Sequence, residues 1–261
     1  MRITILGCGG AAGVPGISAG WGRCDPNEDR NRRRRAAILV ESAAGTRLLV
    51  DTPPDLRAQL LDAGVRRLDA VVWTHDHADH LHGLDDLREI NRVTRAFLPA
   101  WGSAEMLATA RERFGYAFEP LDPGYQGVIY RPMLEPRIVA GPFEVGNLTV
   151  RPIDQDHGYC RSLGLRIGDA AYCTDVVEFP EESLPALEGL DLLIVGCLVD
   201  EPHPTHADVG KVLAWVERFR PRRTVLTHMG SRLDYQTLRR RLPPGVEPAH
   251  DGMVLELPDP A

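Results

Sequence analysis

Short apolar runs, set apart by clusters of glycine, proline, aspartate and asparagine, give the chain its rhythm. Arg2 to Leu6 predicts a strand that runs into a glycine-rich turn. Residues 13 to 33 lack periodicity and predict a long loop. Ala36 to Glu41 and Arg47 to Asp51, parted by Ala43-Ala44-Gly45, predict a hairpin. Pro54 to Ala63 predicts a short helix stopped by Gly64, Leu68 to Thr74 a buried strand, and Leu81 to Val93 a helix. Another helix is expected from a Ser103 cap to Gly115, and residues 116 to 142 are expected to be the least regular stretch. From Phe143 the alternation returns, with strands at Leu148 to Ile153, Leu163 to Ile167, Ala170 to Cys173 and Leu192 to Gly196. Asp208 to Phe219 is helical, with Val209, Val212, Leu213 and Val216 on one side. Thr224 to Thr227 is a strand, Asp234 opens a last helix, and Met253 to Leu257 is a last strand. No repeat or dividing linker occurs, so one domain over residues 1–261 is expected. Strands dominate both halves with helices between them, which predicts sheets covered by helices.

Composition narrows the choice of partner. Apolar residues make up 43% of the chain, enough for a sizeable core, and the net charge of −7 gives no general pull toward nucleic acid or anionic lipid. Lys211 is the only lysine, so the abundant arginines reflect a coding bias, and none is by itself evidence for a phosphate. Five cysteines, scattered and without a C-x-x-C, suit free thiols in a reducing compartment. The apolar run before Cys8 is too short for a signal peptide, and no stretch reaches the roughly 18 apolar residues of a membrane span. A cytoplasmic protein is expected.

The informative segment is His75-Asp76-His77-Ala78-Asp79-His80-Leu81-His82, which gathers four of the 9 histidines behind a predicted strand. Ligand sites in α/β proteins favour such strand ends. Neutral imidazole and carboxylate suit zinc, manganese or iron, and in a tight turn His75 and His77 can face one ion while Asp79 and His80 face another. His157, Asp175 and His228 each follow a further predicted strand. A single histidine is more often a hydrogen-bonded core or surface residue than a ligand. Recurrence behind four strands is what points to a shared centre. No Ser/His/Asp or Cys/His arrangement offers a side-chain nucleophile.

H-x-H-x-D-H after an apolar strand, then a lone His, a lone Asp and a late Leu226-Thr227-His228, resembles the metallo-β-lactamase superfamily over nearly the whole chain. The resemblance implies a four-layer αββα sandwich with two divalent metal ions, zinc or manganese, on one rim. It implies that His75, His77 and His157 bind the first ion, that Asp79, His80 and His228 bind the second, and that Asp175 bridges them. Asp51, at a strand end, is expected to hold a ligand imidazole by a hydrogen bond. The opening Gly7-Cys8-Gly9-Gly10-Ala11-Ala12-Gly13-Val14-Pro15, the close His250-Asp251-Gly252-Met253 and the piece Thr205-His206-Ala207-Asp208 are similar to the PhnP branch of phosphodiesterases. That branch implies two-metal hydrolysis of a small phosphodiester, cyclic ones included, in which His206 assists without binding metal and Asp79 takes part in the reaction. It also implies a homodimer. The branch carries a cysteine cluster after its G-V-P turn. Only Cys24 stands there in this chain, so no structural zinc is expected and the substrate is expected to differ.

Rival readings are weaker. A dinucleotide fingerprint in Gly7 to Ala12 is opposed by Gly13, Pro15 and Gly16, which prevent the helix that receives a pyrophosphate. Arg30 to Arg35 reads as a solvated loop end, with room for one arginine to turn inward. His82 and His203 are given no ligand role, and His250 is placed at the pocket mouth. Asp208 is expected to cap its helix. A transfer-RNA 3′-processing ribonuclease shares the ligand order but carries a long arm between the third His and the bridging Asp, for which residues 158 to 174 leave no room. With the acidic net charge, a nucleic-acid partner is not expected. A metal-holding carrier similar to the pyrroloquinoline-quinone protein B branch is the non-catalytic alternative.

Overall fold

β1 (Arg2–Gly7), β2 (Ala37–Glu41), β3 (Arg47–Val50), α1 (Leu56–Asp62), β4 (Ala70–Val72), α2 (Ala78–Leu81), α3 (Leu87–Thr94), β5 (Leu98–Gly102), α4 (Ala104–Phe114) and β6 (Leu134–Ile138) build the first half of the computed structural model. The second half holds β7 (Phe143–Val145), β8 (Leu148–Asp156), β9 (Arg161–Ile167), β10 (Ala170–Cys173), β11 (Leu192–Gly196), α5 (Val209–Phe219), β12 (Arg223–Thr227), α6 (Tyr235–Arg241), β13 (Val246–Pro248) and β14 (Val254–Glu256). The structure describes residues 1–121 and 124–258.

The strands form two 7-stranded sheets, ordered β14-β1-β2-β3-β4-β5-β6 and β13-β12-β11-β10-β9-β8-β7. β14 through β3 pair antiparallel and β3 through β6 parallel; likewise β7 through β10 pair antiparallel and β10 through β13 parallel. Ile3, Ile5, Ile38, Val40, Leu48 and Val50 face the seam between the sheets, where they meet Leu148, Val150, Ile153 and Leu165. Their neighbours Leu6, Leu39, Leu49, Val71 and Trp73 point the other way, onto Leu56, Leu60, Leu87 and Leu107 of α1, α3 and α4. Val209, Val212, Trp215 and Phe219 of α5 extend the main core beyond the seam. The result is two mixed sheets flanked by helices, the expected αββα sandwich. Strands buried on both faces read as continuous apolar runs, as in Ala37-Ile38-Leu39-Val40. Each fully buried Leu or Ile contributes about 1.5–3 kcal/mol.

Several elements differ from expectation, among them β13, where no strand was expected. The helix expected at Leu81 to Val93 is broken into α2, a 3-10 turn at Leu84–Asp86, and α3. Gly83 lies at the break, where a Cβ would collide with the Pro53 carbonyl and its amide donates to the Thr52 carbonyl at 2.8 Å. β5 lies where no element was expected, its pattern interrupted by Pro99. β6 falls inside the stretch 116 to 142, expected to be irregular, of which residues 122 and 123 lie outside the described residues. β6 is an edge strand, where Pro136 is tolerated because its missing N–H leaves no ladder bond unmade. Among the described residues no helix is long and apolar enough to cross a membrane.

Candidate metal centre

Strand ends position the chemistry. β3 delivers Asp51, β4 leads through Trp73 and Thr74 into His75, β8 precedes His157, and β10 and β12 precede Asp175 and His228. α2 carries Asp79 and His80, with His77 at its N-cap. Asp51, Asp175 and His228 have φ of 67°, 48° and 53°, a left-handed backbone that glycine favours. Three strand ends thus turn sharply enough to aim a carboxylate or imidazole back over the sheet.

All seven expected ligands converge. His75, His77 and His157 form one group, and Asp79, His80 and His228 another, with ligand atoms within 4.8 Å of each other in each group. Asp175 joins both sides: Oδ1 lies 3.6 Å from His157 Nε2, 3.9 Å from His75 Nε2 and 3.4 Å from His228 Nε2, and Oδ2 lies 3.1 Å from His80 Nε2. Asp79 Oδ2 lies 3.3 Å from His80 Nε2 and 3.4 Å from His228 Nε2. His206 also reaches the cluster, with Nε2 3.3 Å from Asp175 Oδ1.

Hydrogen-bond partners assign the tautomers. His80 Nδ1 is 2.7 Å from Asp51 Oδ2, and a carboxylate accepts, so Nδ1 carries a proton and Nε2 is the nitrogen turned to the centre. The Thr74 hydroxyl gives its proton to Asp51, at 2.9 Å, and therefore accepts from His75 Nδ1 at 3.0 Å. His157 Nδ1 donates to the Thr205 carbonyl at 2.7 Å. His75, His80 and His157 thus each turn Nε2 inward. His75 Nε2 and His80 Nε2 are buried without a hydrogen-bond partner. Buried, unpartnered acceptors are costly, and a cation coordinated by them removes that cost, so the donor set fits divalent metal.

The electrostatics favour positive charge at this point, carried by a second proton on His80 or by a cation in its place. Burial opposes charge on His80, but Asp175, Asp51 and Asp79 outweigh it and hold its pKa well above the ordinary value. Burial likewise favours neutral Asp79 and Asp175, yet the imidazoles, His80 beside Asp79 and His228 beside Asp175, hold both carboxyls well below their usual range. Burial drives His75 well below an ordinary histidine, and burial with the nearby His228 lowers His206 to about 3. Three carboxylates in a dry pocket make a negative potential that suits cations.

The remaining candidates divide. Asp208 caps α5, accepting from the Lys211 amide at 3.0 Å. His82 packs on Phe114, and His250 Nδ1 lies 3.1 Å from the Asp251 carbonyl, beside Tyr235. Arg33 is the arginine that turns inward: it is buried, and donates to the carbonyls of Gly230 and Leu233 and to Asn31 Oδ1. Cys24 Sγ lies 3.4 Å from the Ser231 carbonyl. Two neighbours were given no role from the sequence. Cys160 Sγ stands 4.0 Å from His77 Nε2, and Thr205 touches both His157 and His206. A cavity of about 570 Å³ opens beside His75, Asp76 and Cys160, over Met106 and Leu163. A larger one, about 770 Å³, lies by Arg2, Arg34 and Arg47 and shares no residue with the centre.

Residues 46–229 match the model of the beta-lactamase superfamily domain. The crystal structure of a diphosphatase from the PhnP family superposes with a TM-score of 0.88 at 32% identity, covering 98% of each chain. An octanoyltransferase of Porphyromonas gingivalis is 32% identical over 255 residues, 97% of this chain and 51% of that protein, so the chain spans about half the length of this relative. A ribonuclease Z of Pyrobaculum neutrophilum is 25% identical over 292 residues, 95% of this chain and 93% of the relative.

Proposed function

Because the chain belongs to the β-lactamase superfamily, in its PhnP-like branch, we propose that it is a hydrolase of small phosphodiesters working with two divalent ions, zinc or manganese. His75, His77 and His157 would hold one ion, Asp79, His80 and His228 the other, with Asp175 spanning both. The observation that carries this reading is the set of inward-facing Nε2 atoms on His75, His80 and His157 around the buried Asp175 carboxylate. When bound, such ions supply Lewis acidity and make water a nucleophile near neutral pH.

The chain's own residues do the rest. Asp51 fixes His80 directly and His75 through Thr74, so both rings are set before substrate arrives. His206, kept neutral by burial, would donate a hydrogen bond from Nε2 to a phosphate oxygen. Asp79, with 12% of its side chain exposed, stays ionised and would take part in the reaction beside the second ion, its Oδ2 lying between His80 and His228. The cavity of about 570 Å³ supports a small substrate. The octanoyltransferase activity named for the relative is not carried over, since about half of that protein lies outside the match. The cysteines are free thiols, which supports a reducing, cytoplasmic setting.

The ribonuclease Z relative supports a second reading, in which the phosphodiester lies in RNA. Against it, β9 and β10 take up the segment between His157 and Asp175 where that enzyme's arm would stand. The deciding experiment offers the manganese- or zinc-loaded protein bis-p-nitrophenyl phosphate, cyclic nucleotides, dinucleotides and precursor transfer RNA. Chelator-sensitive cleavage of the small diesters is expected. Cleavage of the RNA alone favours the second reading, and a metal-replete protein inert on everything favours a carrier.

A further inference from the structure

We propose that Thr205 is the positioning residue that sets, through two different atoms, which nitrogen His157 and His206 present to the centre; this rests on the hydrolase reading above. Its carbonyl accepts from His157 Nδ1 at 2.7 Å, leaving His157 Nε2 bare. Its hydroxyl lies 3.0 Å from His206 Nδ1 and 3.3 Å from His203 Nδ1.

The hydroxyl has one proton for two nitrogens, and the surroundings decide where it goes. His203 Nδ1 already receives the backbone N–H of Thr205, at 3.3 Å. The hydroxyl proton is therefore free for His206 Nδ1. At the other edge of the same ring, His206 Nε2 faces Asp175 Oδ1 at 3.3 Å, and that oxygen accepts. Both edges demand one tautomer, with the proton on Nε2 and none on Nδ1. His206 thus presents an N–H, a hydrogen-bond donor, to the centre at Asp175. The tautomer that makes His157 a ligand and the one that makes His206 a donor are opposite, and one residue holds both.

Thr205 is itself held. A Cβ on Gly158 (φ 82°) would come within 2.7 Å of the Pro204 carbonyl and 2.8 Å of Thr205 Cγ2, so the turn after His157 packs directly against this loop. On the other side, the Ala207 amide donates to the Val176 carbonyl at 2.7 Å, next to Asp175. The His157 and His206 rings meet edge to face at 4.7 Å.

The two atoms separate experimentally, because every substitution keeps the carbonyl but only serine keeps the hydroxyl. Thr205→Val and Thr205→Ser are compared with wild type by metal content, by kcat and KM on bis-p-nitrophenyl phosphate, and by long-range proton–nitrogen NMR of the histidines in metal-free protein, His206 being assigned with His206→Asn. For Thr205→Val, metal content and KM stay at the wild-type level, kcat falls by about 10- to 100-fold, and the His206 signal leaves the Nε2–H tautomer. Thr205→Ser restores both. An unchanged His206 signal with unchanged kcat, or a serine variant as impaired as valine, overturns the proposal. If wild type cleaves no phosphodiester, the hydrolase reading fails, while the tautomer of His206 in Thr205→Val still decides the role of Thr205.

Discussion

Asp51 Oδ2 lies 2.7 Å from His80 Nδ1, with neither side chain exposed to solvent, and the same carboxylate takes the Thr74 amide at 2.8 Å and the Thr74 hydroxyl. Asp51→Ala leaves these buried donors unpaired, at a loss of about 1–3 kcal/mol. Metal affinity is expected to drop by about 10- to 100-fold. Thermal melts and elemental analysis after dialysis measure both; normal occupancy with an unchanged melt would reduce Asp51 to a turn residue.

Asp175 touches the imidazoles of His75, His80, His157, His206 and His228. Asp175→Ala should empty or disorder the centre, seen as lost zinc or manganese by mass spectrometry of the native protein. A variant that still carries a full metal complement would contradict the bridging role.

His206→Ala should behave differently. Metal content stays at the wild-type level while turnover drops by about 10²-fold or more, the scale of a lost hydrogen-bond donor at a developing charge. Metal lost with activity would mark His206 as a ligand.

Asp251 gives a pH signature away from the centre. Its oxygens accept from the Cys8 amide at 3.0 Å and the Arg34 amide at 2.8 Å, yet burial outweighs these bonds and raises the carboxyl from 3.8 to about 6. The folded state then binds more protons than the unfolded chain between those values, so this group's contribution to stability falls as pH rises from about 4 to about 6 and is level above. Asp251→Asn cannot ionise, so its stability should lack that downward slope. Urea titrations of both proteins across this range read the difference; parallel curves would exclude the effect.

Much of this centre was legible because its ligands stand in contiguous or strand-terminal positions. His75 to His80 announce themselves by density, and His157, Asp175 and His228 by following apolar runs. Strand periodicity served well for Ala170–Cys173 and Leu192–Gly196, which match expectation. It failed for β5, where Pro99 and Gly102 break the pattern and pairing with β4 and β6 supplies the order. Thr205 stood in a quoted motif, but its role was hidden because it acts partly through a carbonyl, which every residue has, and partly through two loops meeting at Gly158. Arg33 was lost in a run of its own kind; its burial depends on carbonyls nearly two hundred positions later.

The left-handed backbone at positions 51, 175 and 228 sets durability against chemistry. Glycine would relax each of these turns by about 1 kcal/mol or more, and at 228 the relief is set against the Nε2 contacts with Asp79 and Asp175, both 3.4 Å. A laboratory evolution scheme that rewards heat resistance in chelator should drift toward His228→Gly, yielding sturdier and inert descendants. The same scheme run with zinc in the medium should hold the imidazole in place.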